Sequence, residues 1–374
     1  MTAHPDRRAR THIGVPVTAI ETSTYTIPTD TPESDGTLEW DSTTIVVVHA
    51  RGGDTSGLGY TYSHSSIAAL VHDVLEPCVI GRDAMDVETC FVAMMQAVRN
   101  LGRQGLAATA ISAVDAALWD LKARVLAIPV VALLGGVRPG VTAYGSGGFT
   151  SYSADELRQQ LEGWIAAGLP AVKMKVGRDP AADPGRVHVA REAIGRDAQL
   201  FVDANGAYDR KVALQCASAF DAEGVRWFEE PVSSDDLEGL RAIRNRAPAG
   251  MEVAAGEYGY EVQYFRRMAE AGAVDVLQAD ATRCGGLSGF LRAAAIADAW
   301  GMPMSAHTAP SLHAHLGCAV ARVRNVEYFY DHARIEQFLF DGALTPEDGM
   351  LRPDRSRAGF GLELKRADAE RFAV

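Results

Sequence analysis

The chain has 374 residues, of which 47% are hydrophobic and 22% charged, a composition that is ordinary for a globular protein with a barrel and one smaller domain. Its net charge of -12 argues against nucleic acid or an anionic membrane surface as a partner. No apolar run approaches a membrane span, and the five cysteines show no CxxC spacing, which favours a reduced, cytoplasmic protein.

The N-terminal third predicts a smaller domain that begins after a polar tail. Residues 1–12 are basic, have no apolar stretch typical of a secretory signal, and are expected to be loose. Strands are predicted at 17–27 and 43–50. The proline- and acid-rich segment 28–40 between them predicts a surface loop, either a plain connection or a lid over a site.

Helical spacing of apolar residues follows in this first domain. The predicted helices cover residues 66–75, 87–98 and 109–127. Thr109 is the expected N-cap of the third helix, and Pro129 ends its pattern. A glycine-rich stretch then places the domain boundary between residues 135 and 136.

From residue 141 the pattern changes to alternating strands and helices, which predicts an α/β fold with a TIM-type barrel over residues 136–346. The eight expected strands are 141–144, 171–176, 200–203, 225–229, 252–255, 274–278, 302–306 and 325–328. The last segment, residues 347–374, is polar and irregular, and it is expected to run back onto the first domain.

The second barrel strand carries an unusual alternation of apolar and cationic residues. Val172 and Met174 share one face, whereas Lys173 and Lys175 share the other. In an antiparallel sheet with one wet face, this would be an ordinary solvated strand. In a closed barrel the second face points inward, where two lysines require anionic partners or a metal site.

Several predicted strands end in an acid. Asp203, Glu229 and Glu257 end the third, fourth and fifth strands, and oxygen ligands without Cys or His suit Mg²⁺. One such carboxylate alone is more often solvated, but three in register predict a metal site. Glu230 follows Glu229 directly, so in an extended strand it faces away and touches at most the outer rim of the site.

Asp280 and His307 end the sixth and seventh strands, close enough in the predicted barrel for a hydrogen bond. An aspartate on one imidazole nitrogen fixes the tautomer and raises the pKa of the histidine, which leaves the other nitrogen free for proton transfer. The alternative is that His307 is a structural residue at the barrel mouth whose hydrogen bonds are satisfied within the protein. His313 and His315 are expected to be mainly structural, with His313 the better candidate for a minor substrate contact.

Taken together, these residues resemble the mandelate racemase subgroup of the enolase superfamily. The resemblance covers nearly the whole chain and rests on Lys173-Met174-Lys175, the three acids, Glu229-Glu230-Pro231, the Asp280 to Gly286 stretch, His307 and the helix at 113–120. It implies a (β/α)7β barrel under an N-terminal α+β capping domain, one Mg²⁺, and removal of a proton alpha to a carboxylate.

The resemblance also implies roles for individual residues. Lys175 resembles the base on one substrate face, and His307 with Asp280 resembles the base or acid on the other. Lys173 resembles the residue that neutralises the substrate carboxylate, and Glu327 the acid that hydrogen-bonds to the enediolate oxygen. For these roles Glu327 must be protonated, with a raised pKa, and Lys175 must have a lowered pKa.

Four residues are candidates for substrate contact. Ser146, at the end of the first barrel strand, matches a carboxylate-contacting serine of the family. Tyr60, Asn205 and Trp40 are the others, and we expect the segment 28–40 and the tyrosines near residue 60 to close over the barrel mouth. The many hydrogen-bonding groups in these segments favour a polyol substrate.

The resulting hypothesis is Mg²⁺-dependent dehydration of a sugar acid to a 2-keto-3-deoxy acid by a homo-oligomer, dimer to octamer. A racemase, epimerase or sugar-acid cycloisomerase would use the same two bases. A Schiff-base aldolase and a non-catalytic ligand-binding barrel are the alternatives of other classes. The three acids argue against the first, whereas Lys175 and His307 argue against the second.

Overall fold

The computed structural model describes residues 14–374, so the predicted tail at 1–12 lies outside the described residues. The capping domain contains a three-stranded antiparallel sheet in the order β1-β2-β3. Its strands are β1 (Val17–Ser34), β2 (Glu39–Gly52) and β3 (Thr55–Tyr62).

The prediction of a surface loop at 28–40 is wrong, because β1 and β2 continue as a hairpin whose tip lies at residues 35–38. Asp35 at the start of the tip is buried against the barrel, whereas Thr37 and Leu38 are exposed. The Ser34 hydroxyl lies 2.6 Å from that of Thr150, in the loop after the first barrel strand. Gly36 sits so close to the barrel that a Cβ there would lie 2.5 Å from the Ala204 carbonyl oxygen, which explains the glycine.

The helices of the capping domain are α1 (Ile67–Leu70), a π-turn (Val71–Leu75), α2 (Glu76–Val79), α3 (Val87–Ala97), a 3-10 turn (Val98–Asn100), α4 (Leu106–Val125) and α5 (Val130–Leu133). Helix α4 packs on β2 and β3 of the sheet, and other helices of the domain pack around α4. The predicted N-cap at Thr109 is wrong. Helix α4 begins after Gly105, whose φ of 69° turns the chain, and the Thr109 hydroxyl donates to the Leu106 carbonyl inside the helix.

The predicted barrel is confirmed: eight parallel strands close on themselves through the pairing of the last strand with the first. The strands are β4 (Val141–Gly147), β5 (Ala171–Lys175), β6 (Gln199–Asp203), β7 (Val225–Glu229), β8 (Glu252–Ala255), β9 (Val276–Ala279), β10 (Met304–Ala306) and β11 (Val323–Phe329). The helices between them are α6 (Ala154–Ala166), α7 (Asp183–Ile194), α8 (Arg210–Ala222), α9 (Leu237–Arg244), α10 (Val262–Ala271), α11 (Gly286–Ala299) and α12 (Pro310–Ala319). This is the (β/α)7β arrangement.

The two faces of β5 separate as the alternation predicts. Val172 and Met174 join the apolar cluster beneath the outer helices, and both lysines are buried inside the barrel. An aromatic cluster fills the barrel below them, with the Phe201 and Trp227 rings stacked at 5.1 Å. Because this floor is packed, we expect a ligand to enter from the carboxyl ends of the strands, under the capping domain.

The chain after the barrel contacts both domains. Its elements are α13 (Tyr330–Leu339), β12 (Phe340–Asp341), β13 (Met350–Leu351), β14 (Glu363–Leu364), α14 (Arg366–Ala369) and a 3-10 turn (Glu370–Phe372). The Phe360 amide donates to Asp120 in α4 at 2.5 Å, and the Val374 amide donates to the Thr24 carbonyl at 3.2 Å. The segment thus touches the capping domain, while the boundaries at 135/136 and 346/347 stay predictions.

None of the helices within residues 14–374 has the length and apolar character needed to cross a bilayer.

His315 in α12 joins three parts of the chain. Its Nδ1 accepts a hydrogen bond from the Val131 amide at 3.1 Å, and its Nε2 donates to the Phe360 carbonyl at 3.2 Å. The ring is fully buried and faces no carboxylate, so burial lowers the pKa of His315 to about 4. The expected structural role agrees with these contacts.

The free energy of unfolding should fall as the pH drops below the unfolded-state pKa of His315, 6.5, because the unfolded chain then binds a proton that the folded chain excludes. At about pH 5 the loss from this residue should be about 2 kcal/mol relative to neutral pH. His315→Gln keeps an acceptor and a donor, so we expect it to flatten the pH dependence measured by urea denaturation. His188→Gln, at an exposed surface position, is the control; an unflattened curve for His315→Gln would contradict the assignment.

Candidate active site

Three strand-end carboxylates meet at the centre of the barrel mouth. The strand register pairs Asp203 of β6 with Glu229 of β7, and ligand oxygens of Asp203, Glu229 and Glu257 all lie within 4.8 Å of one another. All three side chains are buried, and Glu257 Oε2 has no hydrogen-bond partner in the described part of the protein. Buried, closely spaced carboxylate oxygens, one of which lacks a hydrogen-bond partner, fit a hard divalent cation such as Mg²⁺.

The two inward lysines are bound to these acids. Lys173 Nζ lies 2.6 Å from Glu229 Oε1 and 2.9 Å from Glu327 Oε1, and Lys175 Nζ lies 2.6 Å from Asp203 Oδ2. Burial by itself lowers the pKa of Lys175, but the Asp203 carboxylate outweighs it and holds the pKa above its ordinary value. The expected lowering of the Lys175 pKa is therefore absent in this arrangement.

The expectation that Glu327 has a raised pKa is also wrong for this arrangement. Burial raises the pKa of Glu327, but the positive charge of Lys173, followed by His307 and Lys175, lowers it further than burial raises it. The expectation followed from the role of Glu327 as a hydrogen-bond donor to the enediolate oxygen. With Lys173 2.9 Å away, the ionised form of Glu327 is the favoured one.

Asp280 and His307 form the expected pair. Asp280 Oδ2 lies 2.8 Å from His307 Nδ1, which leaves Nε2 to face Glu257 Oε2 at 3.4 Å and Glu327 Oε2 at 3.7 Å. Burial lowers the pKa of His307, but Glu257, Glu327 and the hydrogen bond that His307 donates to Asp280 together raise it above its usual range. The His307 Nε2–H can thus be charged while it points into the site.

Glu230 lies deeper than the outer rim to which it was assigned. Its φ of 38° is left-handed, so the alternation of an extended strand does not apply to it. The side chain is buried, and Glu230 Oε1 has no hydrogen-bond partner within residues 14–374. Burial, and then the nearby carboxylates of Glu257 and Asp203, raise the pKa of Glu230, so the neutral form of its carboxyl group is favoured.

His313 does not reach the substrate cavity, which corrects its assignment as a possible substrate contact. Its Nε2 accepts from the Ala281 amide at 2.9 Å, and its Nδ1 donates to the Thr308 carbonyl at 2.7 Å. Ala281 follows Asp280, and Thr308 follows His307. The buried ring therefore ties together the two loops that carry the Asp280–His307 pair.

A cavity of about 310 Å³ lies between the barrel mouth and the capping domain. Its lining residues are Asp35, Leu38, Trp40, Ser42, Thr43, Thr44, Tyr62, Ser63, Lys175, Asn205, Glu257, Tyr258, Arg283, His307, Thr308, Glu327, Phe329 and His332. The candidate substrate contacts Trp40 and Asn205 are among them. The hairpin tip thus forms part of the roof, as the lid interpretation of 28–40 proposed.

Two other candidate contacts lie elsewhere. Tyr60 is fully buried between the domains, where its hydroxyl donates to Glu336 Oε1 at 2.6 Å, so its assignment to substrate is wrong. Its neighbour two residues on, Tyr62, lines the cavity instead. Ser146 is buried beside Lys173 in the strand register and does not line the cavity; its hydroxyl has no partner within the described chain.

Three cavity residues, Arg283, Tyr258 and His332, were not predicted from the sequence. Arg283 donates to Glu257 Oε1 at 3.2 Å, and His332 stacks on the Tyr62 ring. The spacing of Arg283 three residues after Asp280 and the position of Tyr258 next to Glu257 could have suggested these two. His332 lies beyond the last barrel strand, where no motif points to it.

Comparison with known proteins decides the family. A family model described as "Enolase C-terminal domain-like" matches residues 156–369, and one described as "Mandelate racemase / muconate lactonizing enzyme, N-terminal domain" matches residues 17–135. The chain belongs to the mandelate racemase/muconate lactonizing enzyme family of the enolase superfamily. The resemblance inferred from the motifs is confirmed.

Two characterised members of the family are similar along most of their length. The 3,6-anhydro-alpha-L-galactonate cycloisomerase of Streptomyces coelicolor is 32% identical over 93% of this chain and 97% of its own. The L-talarate/galactarate dehydratase of Salmonella typhimurium is 31% identical over 85% of this chain and 80% of its own.

Solved structures of family members share the whole fold. A mandelate racemase/muconate lactonizing enzyme-like protein from Rubrobacter xylanophilus has a TM-score of 0.94 and 53% identity, covering 96% of this chain and 100% of that one. A racemase from Streptomyces coelicolor with bound magnesium has a TM-score of 0.90 and 32% identity, with the same coverage.

Glu229→Gln should weaken Mg²⁺ binding by about tenfold or more, because it removes one of three charges that converge on the cation. Isothermal titration calorimetry with Mg²⁺ measures the effect. Glu252→Gln, at the opposite end of the adjacent strand β8, is the control and should bind Mg²⁺ as the wild type does. Wild-type affinity in Asp203→Asn, Glu229→Gln and Glu257→Gln alike would refute the site.

Trp40→Phe and Tyr60→Phe form a matched pair. Each loses a hydrogen bond to a buried glutamate, Trp40 to Glu33 at 3.1 Å and Tyr60 to Glu336 at 2.6 Å, and should lower the free energy of unfolding by about 1–3 kcal/mol. Only Trp40→Phe should also change the relative kcat/KM across a panel of sugar acids. An equal change in Tyr60→Phe would show that the effect is not specific to the cavity lining.

Proposed function

We propose that this family member is a Mg²⁺-dependent enzyme that removes the proton alpha to the carboxylate of a sugar acid and dehydrates the acid to a 2-keto-3-deoxy acid. The observation that supports it is that Lys175, His307 and the metal-site acid Glu257 line one cavity. Two proton-transfer groups and a cation site around one space are what enolisation of a carboxylate requires.

We assign the metal to Asp203, Glu229 and Glu257. When bound, Mg²⁺ supplies positive charge that competes with both lysines for these carboxylates and stabilises the negative charge of the enediolate. Lys173, buried beneath the cavity, adds a second positive charge for the substrate carboxylate.

Lys175 is proposed as the base on one face of the substrate. When the Lys175 amine separates from Asp203, it remains buried and is still repelled by the charge of Lys173. Burial and this repulsion both lower the pKa of Lys175. The residue then becomes able to accept a proton at neutral pH.

His307 is proposed to act on the other face, with Asp280 as the residue that positions its ring. Lys175 stands on β5 and His307 follows β10, so β11 and β4 separate them around the barrel. In dehydration one of these groups accepts the alpha proton as the alpha C–H bond breaks. The hydroxyl on the next carbon accepts a proton and leaves as water. The enol product then gains a proton and becomes the 2-keto acid.

Glu327 is proposed to contact the enediolate oxygen.

Cycloisomerisation is the second candidate. The Streptomyces coelicolor relative is a cycloisomerase, and its similarity to this chain extends over almost the whole length of both. It needs the same alpha-proton removal, and the composition of the product separates the two: dehydration releases water, whereas cycloisomerisation breaks a ring C–O bond and keeps every atom of the substrate, so mass spectrometry of the product distinguishes them. A Schiff-base mechanism is disfavoured because the buried acids around the two lysines form a cation site, which a covalent lysine mechanism does not require.

We also propose that the protein is cytoplasmic and homo-oligomeric, between dimer and octamer. All five cysteines are free thiols, which supports a reducing compartment. Large apolar side chains are exposed on the cap helices, among them Val92, Leu101 and Leu106, which a neighbouring copy could cover.

The two-face arrangement predicts separable losses of alpha-proton exchange. In deuterated water with Mg²⁺, Lys175→Ala should lose exchange from one alpha-epimer of an accepted sugar acid by about 100-fold or more, and His307→Asn from the other. Proton NMR follows the exchange, and His188→Asn, at the surface, is the control. Full exchange of both epimers in either site variant would contradict the proposal, as would loss of Mg²⁺ binding as the sole defect.

A further inference from the structure

The two ends of the cavity differ in charge. The barrel end contains the basic groups Lys175, His307 and Arg283 together with the acids Glu257 and Glu327, and the three-acid cluster there would hold the Mg²⁺. The capping domain contributes eight lining residues to the roof: Asp35, Leu38, Trp40, Ser42, Thr43, Thr44, Tyr62 and Ser63. Within the described chain, the charged member of this roof is an aspartate, and its other polar members are hydroxyl or indole groups.

Resting on the proposed function, we infer that the substrate is a sugar monocarboxylate, an aldonate with a neutral far end, and that the roof excludes the matching dicarboxylate, the aldarate. The reacting carboxylate must lie at the barrel end, because the metal acids and both lysines are there. The aromatic cluster that fills the barrel below the lysines leaves no room for the substrate there. The remaining carbons of the substrate must therefore extend toward the roof.

Asp35 is fixed in its place at the hairpin tip. Its Oδ1 accepts from the Thr37 and Leu38 amides at 2.6 and 2.7 Å, and its carbonyl accepts from the Thr150 hydroxyl at 2.8 Å. The side chain is only 8% exposed, so solvent screens its charge poorly. A second carboxylate on the substrate would therefore meet a fixed negative charge.

The hydroxyl groups of the roof suit the hydroxyls of a polyol. Thr43 Oγ1 donates to Asp331 Oδ2 at 3.1 Å, and Ser42 Oγ donates to Asp41 Oδ1 at 3.1 Å. Because each donor is already committed to a carboxylate, each oxygen presents lone pairs, which accept from a substrate hydroxyl but repel a carboxylate.

The cationic and imidazole groups on the cavity wall do not offset this charge. Arg283 donates to Glu257 Oε1 at 3.2 Å and lies 3.7 Å from Asp280 Oδ2, so its charge is matched by two buried acids at the barrel end. His332 is stacked on Tyr62, and burial lowers the pKa of its ring well below the usual range, which keeps it neutral.

The test measures kcat/KM with Mg²⁺ for aldonate and aldarate pairs that match at every stereocentre, for example galactonate with galactarate and gluconate with glucarate. The aldonate should be favoured by about tenfold or more, the size expected for one like-charge contact in a partly desolvated site. The terminal monoamide of each aldarate, which has the same shape without the second charge, should be used nearly as well as the aldonate.

Asp35→Asn keeps an oxygen for the turn amides and removes the charge, so it should raise the aldarate-to-aldonate ratio of kcat/KM by about tenfold. Glu39→Gln, an exposed residue of the same hairpin outside the cavity lining, is the matched control and should leave the ratio at the wild-type value.

Each outcome decides one point. Equal or better use of aldarates, or an unchanged ratio in Asp35→Asn, would overturn the inference and leave the proposed function in place. Rejection of the monoamide as strongly as the aldarate would show exclusion by size and would overturn the argument from charge. Absence of alpha-proton exchange with every acid of both classes would refute the proposed function, and with it this inference.

Discussion

The structure depends on the neutralisation of two lysines inside the barrel. Lys173 and Lys175 are held by Glu229, Glu327 and Asp203 at 2.6–2.9 Å, in a space from which solvent is excluded. Removal of one partner from such a buried cluster costs about 3–5 kcal/mol, because the remaining charge has lost both water and its counterion. Four different strands, β5, β6, β7 and β11, must therefore be in register before any of these charges is stable.

This balance of charge also makes the site responsive to a cation. Asp203 and Glu229 each bind a lysine and also belong to the three-acid cluster that fits Mg²⁺, so a lysine and the cation are alternative partners for each of these carboxylates. The sequence predicts a lowered pKa for Lys175, whereas the structure raises it. The difference arises because Asp203 can bind either Lys175 or the cation. Burial and Lys173 lower the pKa, whereas Asp203 raises it, and the partner of Asp203 decides which effect is larger.

The capping domain completes the cavity through contacts that are polar and specific. The hairpin tip is held by Thr150 at the end of β4 and by the close approach of Gly36 to Ala204, next to the metal-site acid Asp203. The same tip presents Asp35 and Trp40 to the cavity. A single element thus closes the site and sets the charge that the far end of a ligand meets, while the chemistry stays with the barrel.

The sequence alone determined the features that depend on periodicity and strand order. The alternation in 171–176 placed both lysines inside the barrel, and acids at successive strand ends placed Asp203, Glu229 and Glu257 together, because parallel strands bring their carboxyl ends to one edge. Tertiary structure decided what depends on a single backbone angle or on contacts distant in the chain. The left-handed φ of Glu230 turned its carboxylate inward, and the docking of β3 buried Tyr60 and exposed Tyr62 to the cavity. The pKa of Glu327 likewise followed from Lys173, more than 150 residues away in sequence, since a buried charge responds to its spatial neighbours and not to its place in the chain.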